Sequence, residues 1–320
     1  METGDQEPEA RRYTPEGLSW EDSRSIKEVL EAHRAWLEGR PEGVRAVFRG
    51  VTLNDVNLEQ ANLTRAILKS ATLLDAKLSG ADLTGAELEG VDLRQAALPG
   101  VDFTGALLTG VNLNLAWLAE ANFSEATIRH SSFHRANLRN VRMLDVKIND
   151  CDFRAADMRC AALHHSQIFG SDFSDAEMEA ALFYYARLQL CRFVAANAAR
   201  ANFTSAKVLS CDLRAAQFSG GRFFRADLSH SCFGRALLGG CDFRESKLGT
   251  TELPHALLAN SRFGEAVLLA TDLRGANLKG ARELTAAQLS QARTDERTVL
   301  PSGKNGPFLK GSRDERPATW

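Results

Sequence analysis

The sequence predicts an all-β solenoid, in which the chain winds into stacked coils whose neighbouring strands run parallel. The first observation is a residue we call the centre, which recurs every five positions from Phe48 to Leu278, 47 times without an insertion, and is large and apolar everywhere except at Ala198. The second is that a small residue always stands two positions before the centre. Two inward residues that are two positions apart have the spacing of a strand. A helix is excluded, because five residues advance by about 140° around its axis.

The repeated unit resembles that of the pentapeptide-repeat family, in which a small residue, Asp or Asn, Leu or Phe, and two variable residues follow one another. Five units match this pattern directly: Ala61-Asn62-Leu63, Ala81-Asp82-Leu83, Val101-Asp102-Phe103, Ala201-Asn202-Phe203 and Ala276-Asn277-Leu278. The resemblance implies a right-handed quadrilateral parallel β-helix, with four units in each coil. We therefore expect about 12 coils between residues 46 and 280.

Four units in each coil place the centres on four walls, and most Phe centres then fall on two opposite walls. One wall holds Phe133, Phe153, Phe173, Phe193 and Phe233, and the other holds Phe103, Phe123, Phe183, Phe203, Phe223, Phe243 and Phe263. We expect these rings to stack and to fill the core. Cysteines at the small inward position, among them Cys191 and Cys211 on adjacent coils, are interpreted as small hydrophobic residues.

An N-terminal helix is predicted within residues 19–45, ahead of the first repeat. Its apolar face consists of Ile26, Val29, Leu30, His33, Trp36 and Leu37. Ser25 and Glu28 have the spacing of a capping box, and Gly39-Arg40-Pro41 ends the helix. We interpret this helix as a cap on the first coil, because an open end exposes unpaired strand edges. The alternative is a helix that docks a partner.

A C-terminal cap is predicted for residues 281–301, because the five-residue pattern fails at Glu283. Thr285 can begin a short helix that continues to Leu289, and Val299-Leu300-Pro301 can fold back onto the last coil. Residues 1–18 and 302–320 are polar and are predicted to be mobile tails. A rod that is capped at both ends favours a monomer or an end-to-end homodimer.

Composition is typical of a cytoplasmic, bacterial-type protein that has no membrane segment. Charged residues make up 25% of the chain, the net charge is −2, and no secretory signal precedes the repeats. The sequence has no phosphate-binding loop, no nucleophile elbow and no His-Glu-x-x-His motif. We therefore expect no enzyme activity, no cofactor and no metal site.

The best candidate site is a group of outward aromatic and imidazole residues. His164 and His165 follow one centre, and Tyr184 and Tyr185 occupy the same positions one coil later. Outward apolar residues of the same wall complete the patch: Leu144, Leu182 and Phe224. Three interpretations stay open, namely a partner-binding surface, plain stacking without function, and a metal or catalytic site. The support for the first is that aromatic residues on rigid outer surfaces anchor interfaces.

The function that these observations favour is a non-enzymatic scaffold, which binds an unidentified protein through its flat outer walls. The alternative comes from the resemblance: family members protect type II topoisomerases such as DNA gyrase by imitating duplex DNA. Four acidic residues could supply such a surface: Asp172, Asp175, Glu177 and Glu179. Against mimicry, five outward aspartates each precede an Arg by two positions and can be neutralised: Asp92–Arg94, Asp152–Arg154, Asp212–Arg214, Asp242–Arg244 and Asp272–Arg274.

Direct binding of nucleic acid is disfavoured. One outward column carries four basic residues: Lys147, Arg187, Lys207 and Lys247. Glu87 and Asp227 interrupt this column, however, and the isoelectric point of about 6.4 is lower than that of typical nucleic-acid-binding domains.

Overall fold

The computed structural model describes residues 23–308, and from Ala46 onwards the chain winds into a parallel β-solenoid. The predicted tail 1–18 and residues 309–320 lie outside the described residues. Helix α1 spans Ser23–Leu37 and helix α2 spans Ala286–Leu289. Neither of these helices is long and apolar enough to cross a membrane, and the described part of the chain contains no other candidate.

Nine three-residue strands lie on one side of the solenoid, which we call the strand wall. They are β1 Val47–Arg49, β2 Ile67–Lys69, β3 Glu87–Glu89, β4 Leu107–Thr109, β5 Thr127–Arg129, β6 Lys147–Asn149, β7 Gln167–Phe169, β8 Arg187–Gln189 and β9 Lys207–Leu209. They pair in parallel and in chain order, and each residue lies opposite the residue 20 positions later, as in Val47 opposite Ile67. The other three walls have the same register but pair through isolated bridges, such as Thr52–Thr72, Asn57–Lys77 and Asn62–Asp82. The predicted class, a parallel β-solenoid with four walls, is confirmed.

The predicted number of coils differs from the number of turns that paired strands define. Nine strands enclose eight turns, whereas the sequence predicted about 12 coils. Beyond β9 the strand wall keeps its spacing only through single bridges, from Lys207–Asp227 to Lys247–Val267. The reason lies at the corner, where the Ser231 N–H donates a 3.2 Å turn hydrogen bond to the Leu228 carbonyl. This turn shortens the extended segment to a single bridged residue.

The core is built from the centres and from the small residues two positions before them. Phe133, Phe153 and Phe173 stack with ring centroids 4.7 and 4.8 Å apart, which confirms the predicted column. On the opposite wall Phe183 and Phe203 stack at 4.6 Å, and Phe183 meets Phe193 edge-on across the core. Large rings on two walls therefore fill one cross-section after another.

The inward column at the corner that follows the strand wall is apolar from Val51 to Val111 and consists of Ser, Cys and Thr from Ser131 to Thr271. Among the described residues no backbone turn closes this corner between Val51 and Cys211, and in three coils a Ser hydroxyl one coil later accepts the free N–H group. The Cys151 N–H donates to Ser171 Oγ at 3.1 Å, and the Cys211 N–H donates to Ser231 Oγ at 3.1 Å. Cys151 Sγ in turn donates to the Asn149 carbonyl at 3.2 Å. The cysteines at this corner are therefore hydrogen-bonding residues as well as small apolar ones.

Every unit ends in a residue with left-handed backbone, at the second position after the centre. The φ angle there lies between 49° and 71°, at glycine and non-glycine residues alike. The aspartate before the centre supports the turn: the Thr104 N–H donates to Asp102 Oδ1 at 2.8 Å. Asp side chains commonly accept such a bond from the backbone two residues later and thereby stabilise turns.

Helix α1 packs against the first coil through a buried imidazole. His33 is fully buried, and its Nδ1 accepts a 3.1 Å hydrogen bond from the Ala46 N–H, so this nitrogen carries no proton. Burial lowers the pKa of His33 below its usual value. A Cβ atom at Gly43 would overlap the backbone of Trp36, which explains the glycine. The predicted capping box involves the Ser25 side chain, which lies outside the described residues.

The C-terminal cap begins with the predicted short helix. Thr285 caps α2, and its capping box with Gln288 is complete. The returning segment adds hydrogen bonds to the last coil, since the Leu278 N–H donates to the Val299 carbonyl at 2.8 Å. The packed chain continues beyond residue 301, because Phe308 lies against the core and its N–H donates to Thr294 Oγ1 at 3.0 Å.

Candidate partner-binding site

The four rings of the candidate patch form two contacting pairs on adjacent coils. His165 and Tyr185 stack in parallel, with centroids 5.2 Å apart and an interplanar angle of 7°. His164 and Tyr184 meet edge-on at 4.8 Å. The side chains stack because the register of 20 residues places equivalent positions one above the other. The Tyr185 side chain is 56% exposed, so the outer pair faces solvent.

The inner pair is held more firmly than the outer pair. The Asn202 Nδ2 group donates a 3.1 Å hydrogen bond to the Tyr184 hydroxyl oxygen, and Asn202 itself is buried. Burial, together with the neighbouring His165, lowers the pKa of His164. His164 Nε2 is buried and has no hydrogen-bond partner among the described residues. The inner pair therefore supports the patch, and the outer pair can contact a partner.

The three apolar members of the predicted patch are less available. Leu144, Leu182 and Phe224 are each half-buried. The guanidinium carbons of Arg225 and Arg244 lie 4.8 and 5.6 Å from the centroid of the Phe224 ring, as cation–π contacts. Phe224 therefore presents cationic groups around its ring rather than a bare apolar face.

A groove, which we call the ring–cation groove, lies beside the outer pair and has a volume of about 470 Å³. Asp145, His165, Tyr185 and Ser205 line one side of it, and Gln167, Arg187 and Lys207 line the other. The two sides belong to adjacent walls. Tyr185 is the last residue of one unit, and Arg187, two positions later, is the outward residue before the centre of the next unit. The sequence pattern placed the cations and the rings in two separate columns. Their spacing of two positions was the signal that could have predicted one shared groove.

A second shallow groove, of about 370 Å³, lies on the far side of the same cations. Phe169 and Leu209 contribute apolar surface to it, and Phe169 is 41% exposed. Phe169 carries no repeated sequence signal, because the residues one coil before and after it are the polar Asn149 and Gln189. Arg187 and Lys207 therefore form a ridge between two grooves.

The four acidic residues of the second predicted patch largely have partners. Asp172 Oδ2 lies 3.7 Å from Arg192 Nε, and Glu179 pairs with Arg200. Glu177 Oε2 accepts a 2.8 Å hydrogen bond from Asn197 Nδ2. Asp175 forms no ion pair within residues 26–308 and lies exposed at a corner.

The five predicted Asp–Arg neighbours all form ion pairs. The Nη2–Oδ2 distance is 2.7 Å in Asp92–Arg94, Asp152–Arg154 and Asp242–Arg244, and 2.6 Å in Asp212–Arg214 and Asp272–Arg274. The Arg94 guanidinium holds the pKa of Asp92 below its usual value. Such pairs cancel charge locally, so the outer aspartates do not add up to a continuous negative wall.

Metal binding finds no support at the His pair. In the part of the chain that the structure describes, no three His, Cys, Asp or Glu side chains are placed to share a metal ion. His164 and His165 contact the rings of Tyr184 and Tyr185 instead.

A family model described as pentapeptide repeats matches the chain in eight copies. The matched ranges are 46–85, 76–114, 86–123, 108–143, 145–175 and 251–293, and together they include more than half of the 320 residues. No curated protein matches the sequence.

Several solved structures are similar to this chain. HetL, a pentapeptide repeat protein involved in heterocyst differentiation regulation in the cyanobacterium Nostoc sp. strain PCC 7120, is 22% identical; the match covers 85% of this chain and 97% of HetL, with a TM-score of 0.33. A pentapeptide repeat protein from the Arabidopsis thaliana thylakoid lumen is 31% identical, over 31% of this chain and 68% of its own, with a TM-score of 0.30. QnrB1, a plasmid-mediated fluoroquinolone resistance protein, is 16% identical, over 53% of this chain and 89% of its own, with a TM-score of 0.26.

Proposed function

The chain belongs to the pentapeptide-repeat family, and on that premise we propose that it is a non-enzymatic scaffold that binds a protein partner on its outer surface. The main support is the exposed His165–Tyr185 stack, which lies on a rigid β-ladder beside the ring–cation groove. A partner that meets a preorganised surface loses little conformational entropy on the scaffold side. Exposed Tyr side chains are frequent anchors of protein interfaces.

Rigidity is the second support. The backbone under each ring is fixed by hydrogen bonds between coils: the His165 N–H donates to the Tyr184 carbonyl at 2.9 Å, and the Tyr185 N–H donates to the Thr204 carbonyl at 3.1 Å. The ring positions therefore follow from the ladder and do not depend on a loop.

The alternative, binding of a type II topoisomerase by DNA mimicry, has weaker support. It would use Asp172, Asp175, Glu177 and Glu179, and mimicry requires a sustained negative potential. Arg192 and Arg200 neutralise two of these carboxylates. The Asp–Arg pairs limit the negative potential elsewhere.

The test is capture of native partners from the source cell, with the full-length protein as bait. Replacing Tyr184 and Tyr185 with Ser should leave the fold intact, because neither side chain is a core centre. We expect partner binding to weaken by about 2 kcal/mol or more, which is the loss typical of an interface anchor.

A matched control uses two exposed apolar residues elsewhere on the rod. Leu115 and Trp117 are 54% and 59% exposed. Their replacement with Ser should leave the same partner bound. If the Tyr variant retains every partner while the control loses one, the binding surface lies elsewhere. If capture recovers topoisomerase subunits and depends on Asp175 and Glu177, mimicry is the better account.

A further inference from the structure

Three features meet at the ring–cation groove, and together they indicate the chemistry of a ligand. One side offers ring faces, the other side offers cations, and the ladder ends the ring stack abruptly.

The cations beside the groove have no anionic partner. Lys147, Arg187 and Lys207 follow one another along the strand wall, with Gln167 between the first two. All three are exposed, and no carboxylate within residues 26–308 lies in ion-pair distance of any of them. By contrast, Arg154 and Arg214 on another wall form ion pairs with Asp152 and Asp212, and these pairs neutralise their charge. Among the described residues this column therefore presents cations outside any ion pair, and Asp145, on the opposite side, is the one carboxylate that lines the groove.

The ring stack ends at a small residue. The corner column runs Asp145, His165, Tyr185, Ser205, Arg225, one residue in each coil, and the rings of His165 and Tyr185 are 5.2 Å apart. Ser205 is too short to cover the second face of the Tyr185 ring. Arg225 occupies the following coil, where its Nε donates to Glu245 Oε2 at 2.7 Å. A planar side chain placed over Ser205 would continue the stack.

The dimensions of the basic segment limit the ligand. Three coil steps separate Lys147 from Lys207, or about 14 Å at the usual spacing of neighbouring strands. An extended peptide rises about 3.3 Å per residue, so four or five residues cover this length. The segment is bounded by Thr127 on one side and Asp227 on the other. A long phosphodiester chain would meet that carboxylate, whereas a short peptide would not.

We propose that the ring–cation groove binds a short, extended, acidic peptide segment of a partner protein, with carboxylates on Arg187 and Lys207 and one aromatic side chain stacked on Tyr185 over Ser205. This inference rests on the proposed scaffold function and names the chemical class of its partner. The binding is electrostatic at an exposed surface, so it weakens as salt is raised.

The first experiment measures binding of a fluorescein-labelled peptide, Glu-Glu-Trp-Glu-Glu, to the full-length protein by fluorescence anisotropy. The comparison probes are Lys-Lys-Trp-Lys-Lys and single-stranded oligothymidylate. We expect the acidic peptide to bind, the basic peptide not to bind, and the affinity to fall with salt. Replacing Arg187 and Lys207 with Glu should weaken binding at least about tenfold, because like charges then face each other. Lys247→Glu is the control, because it lies in the same column but outside the groove.

The second experiment tests the position over Ser205. Ser205→Trp fills the place of the incoming ring and should weaken binding of the acidic peptide several-fold. Ser210→Trp is the matched control, because Ser210 also ends a unit with left-handed backbone (φ 52°, against 57° at Ser205) but does not line the groove. Equal binding by the two Trp variants would overturn the stacking part of the proposal.

Other outcomes separate this inference from the scaffold function. If the acidic peptide fails to bind while the Tyr184/Tyr185 variant still loses its native partner, the peptide class is wrong and the scaffold function stands. If oligothymidylate binds more tightly and depends on Arg187, the groove is a nucleic-acid site and the proposal is overturned. If neither the peptide nor native capture depends on the groove, both proposals fail.

Discussion

The inward and outward ring stacks of this protein have nearly the same geometry but opposite surroundings. Phe173 stacks on Phe153 and Phe193 with centroids 4.8 and 4.9 Å apart, and it is fully buried. Tyr185 stacks on His165 at 5.2 Å, and it is 56% exposed. The ladder sets both distances, so stacking alone carries no information about function. Only the inward column removes large rings from water, and only that column can contribute much to stability.

The outward rings therefore call for a different explanation from the inward ones. The repeat requires large apolar centres and small inward residues, but it leaves the outward positions free. An exposed Tyr or His at such a position neither fills the core nor closes a turn. The positive charges of Arg187 and Lys207 lie beside these rings and are equally unnecessary for the coil. Their coincidence at one groove is what favours a binding site.

The largest expected effect breaks the inward stack. Phe173→Ala should lower the free energy of unfolding by about 3–5 kcal/mol, because it leaves a cavity between two rings. Tyr185→Ser, its outward counterpart, should change that free energy by less than about 0.5 kcal/mol. Reversible urea denaturation of both variants measures the difference. A loss below about 1 kcal/mol for Phe173→Ala would mean that the wall is not a packed column.

Sequence reasoning was sufficient for the inward side, because the core obeys a strict rule. The spacing of the centres predicted the Phe columns, and Thr285 marked the start of α2 correctly. Outward features were harder to predict, because they depend on neighbours in adjacent coils and walls. The sequence pattern assigned Tyr185 and Arg187 to two different outward columns, although the corner between them brings both side chains to one groove. Positive φ at non-glycine residues such as Leu115 and Leu190 has no local sequence signal at all, since the register of the coil imposes it.

The buried imidazole of His33 gives the next effect and extends the comparison to the end of the rod. His33 Nδ1 accepts the Ala46 N–H, so replacing His33 with Ala leaves that buried donor unpaired, at a cost of about 1–2 kcal/mol. The pKa of His33 is lowered by burial, below the value near 6.5 that an unfolded chain has. At higher pH both states are neutral and the full stability is present. As the pH falls below about 6.5, the unfolded state takes up a proton first and stability is lost.

Hydrogen exchange at the Ala46 amide reports this local event directly. Protection, corrected for the intrinsic exchange rate, should fall as the pH is lowered from about 7 to about 5. In His33→Gln the side-chain oxygen can still accept the bond but does not titrate in this range, so protection should change much less with pH. Equal pH dependence in the two proteins would show that another group controls the docking of α1.

The smallest effect should be a gain in stability, and it compares two adjacent residues, one outward and one inward. Ala215 ends its unit with φ at 56° and is exposed, whereas Ala216 is a fully buried inward residue. A left-handed backbone costs an L-residue about 1–2 kcal/mol, and glycine avoids this cost. Glycine also raises the conformational entropy of the unfolded chain, which lowers the stability of the folded state by up to about 1 kcal/mol. Ala215→Gly should therefore raise the free energy of unfolding by about 0.5–1 kcal/mol. Ala216→Gly should lower it by about 1 kcal/mol or more, because it adds the same entropy without relieving strain and leaves a void in the core. Chemical denaturation of the pair decides the matter: if both variants are destabilised alike, the left-handed corners hold no strain for a glycine to relieve.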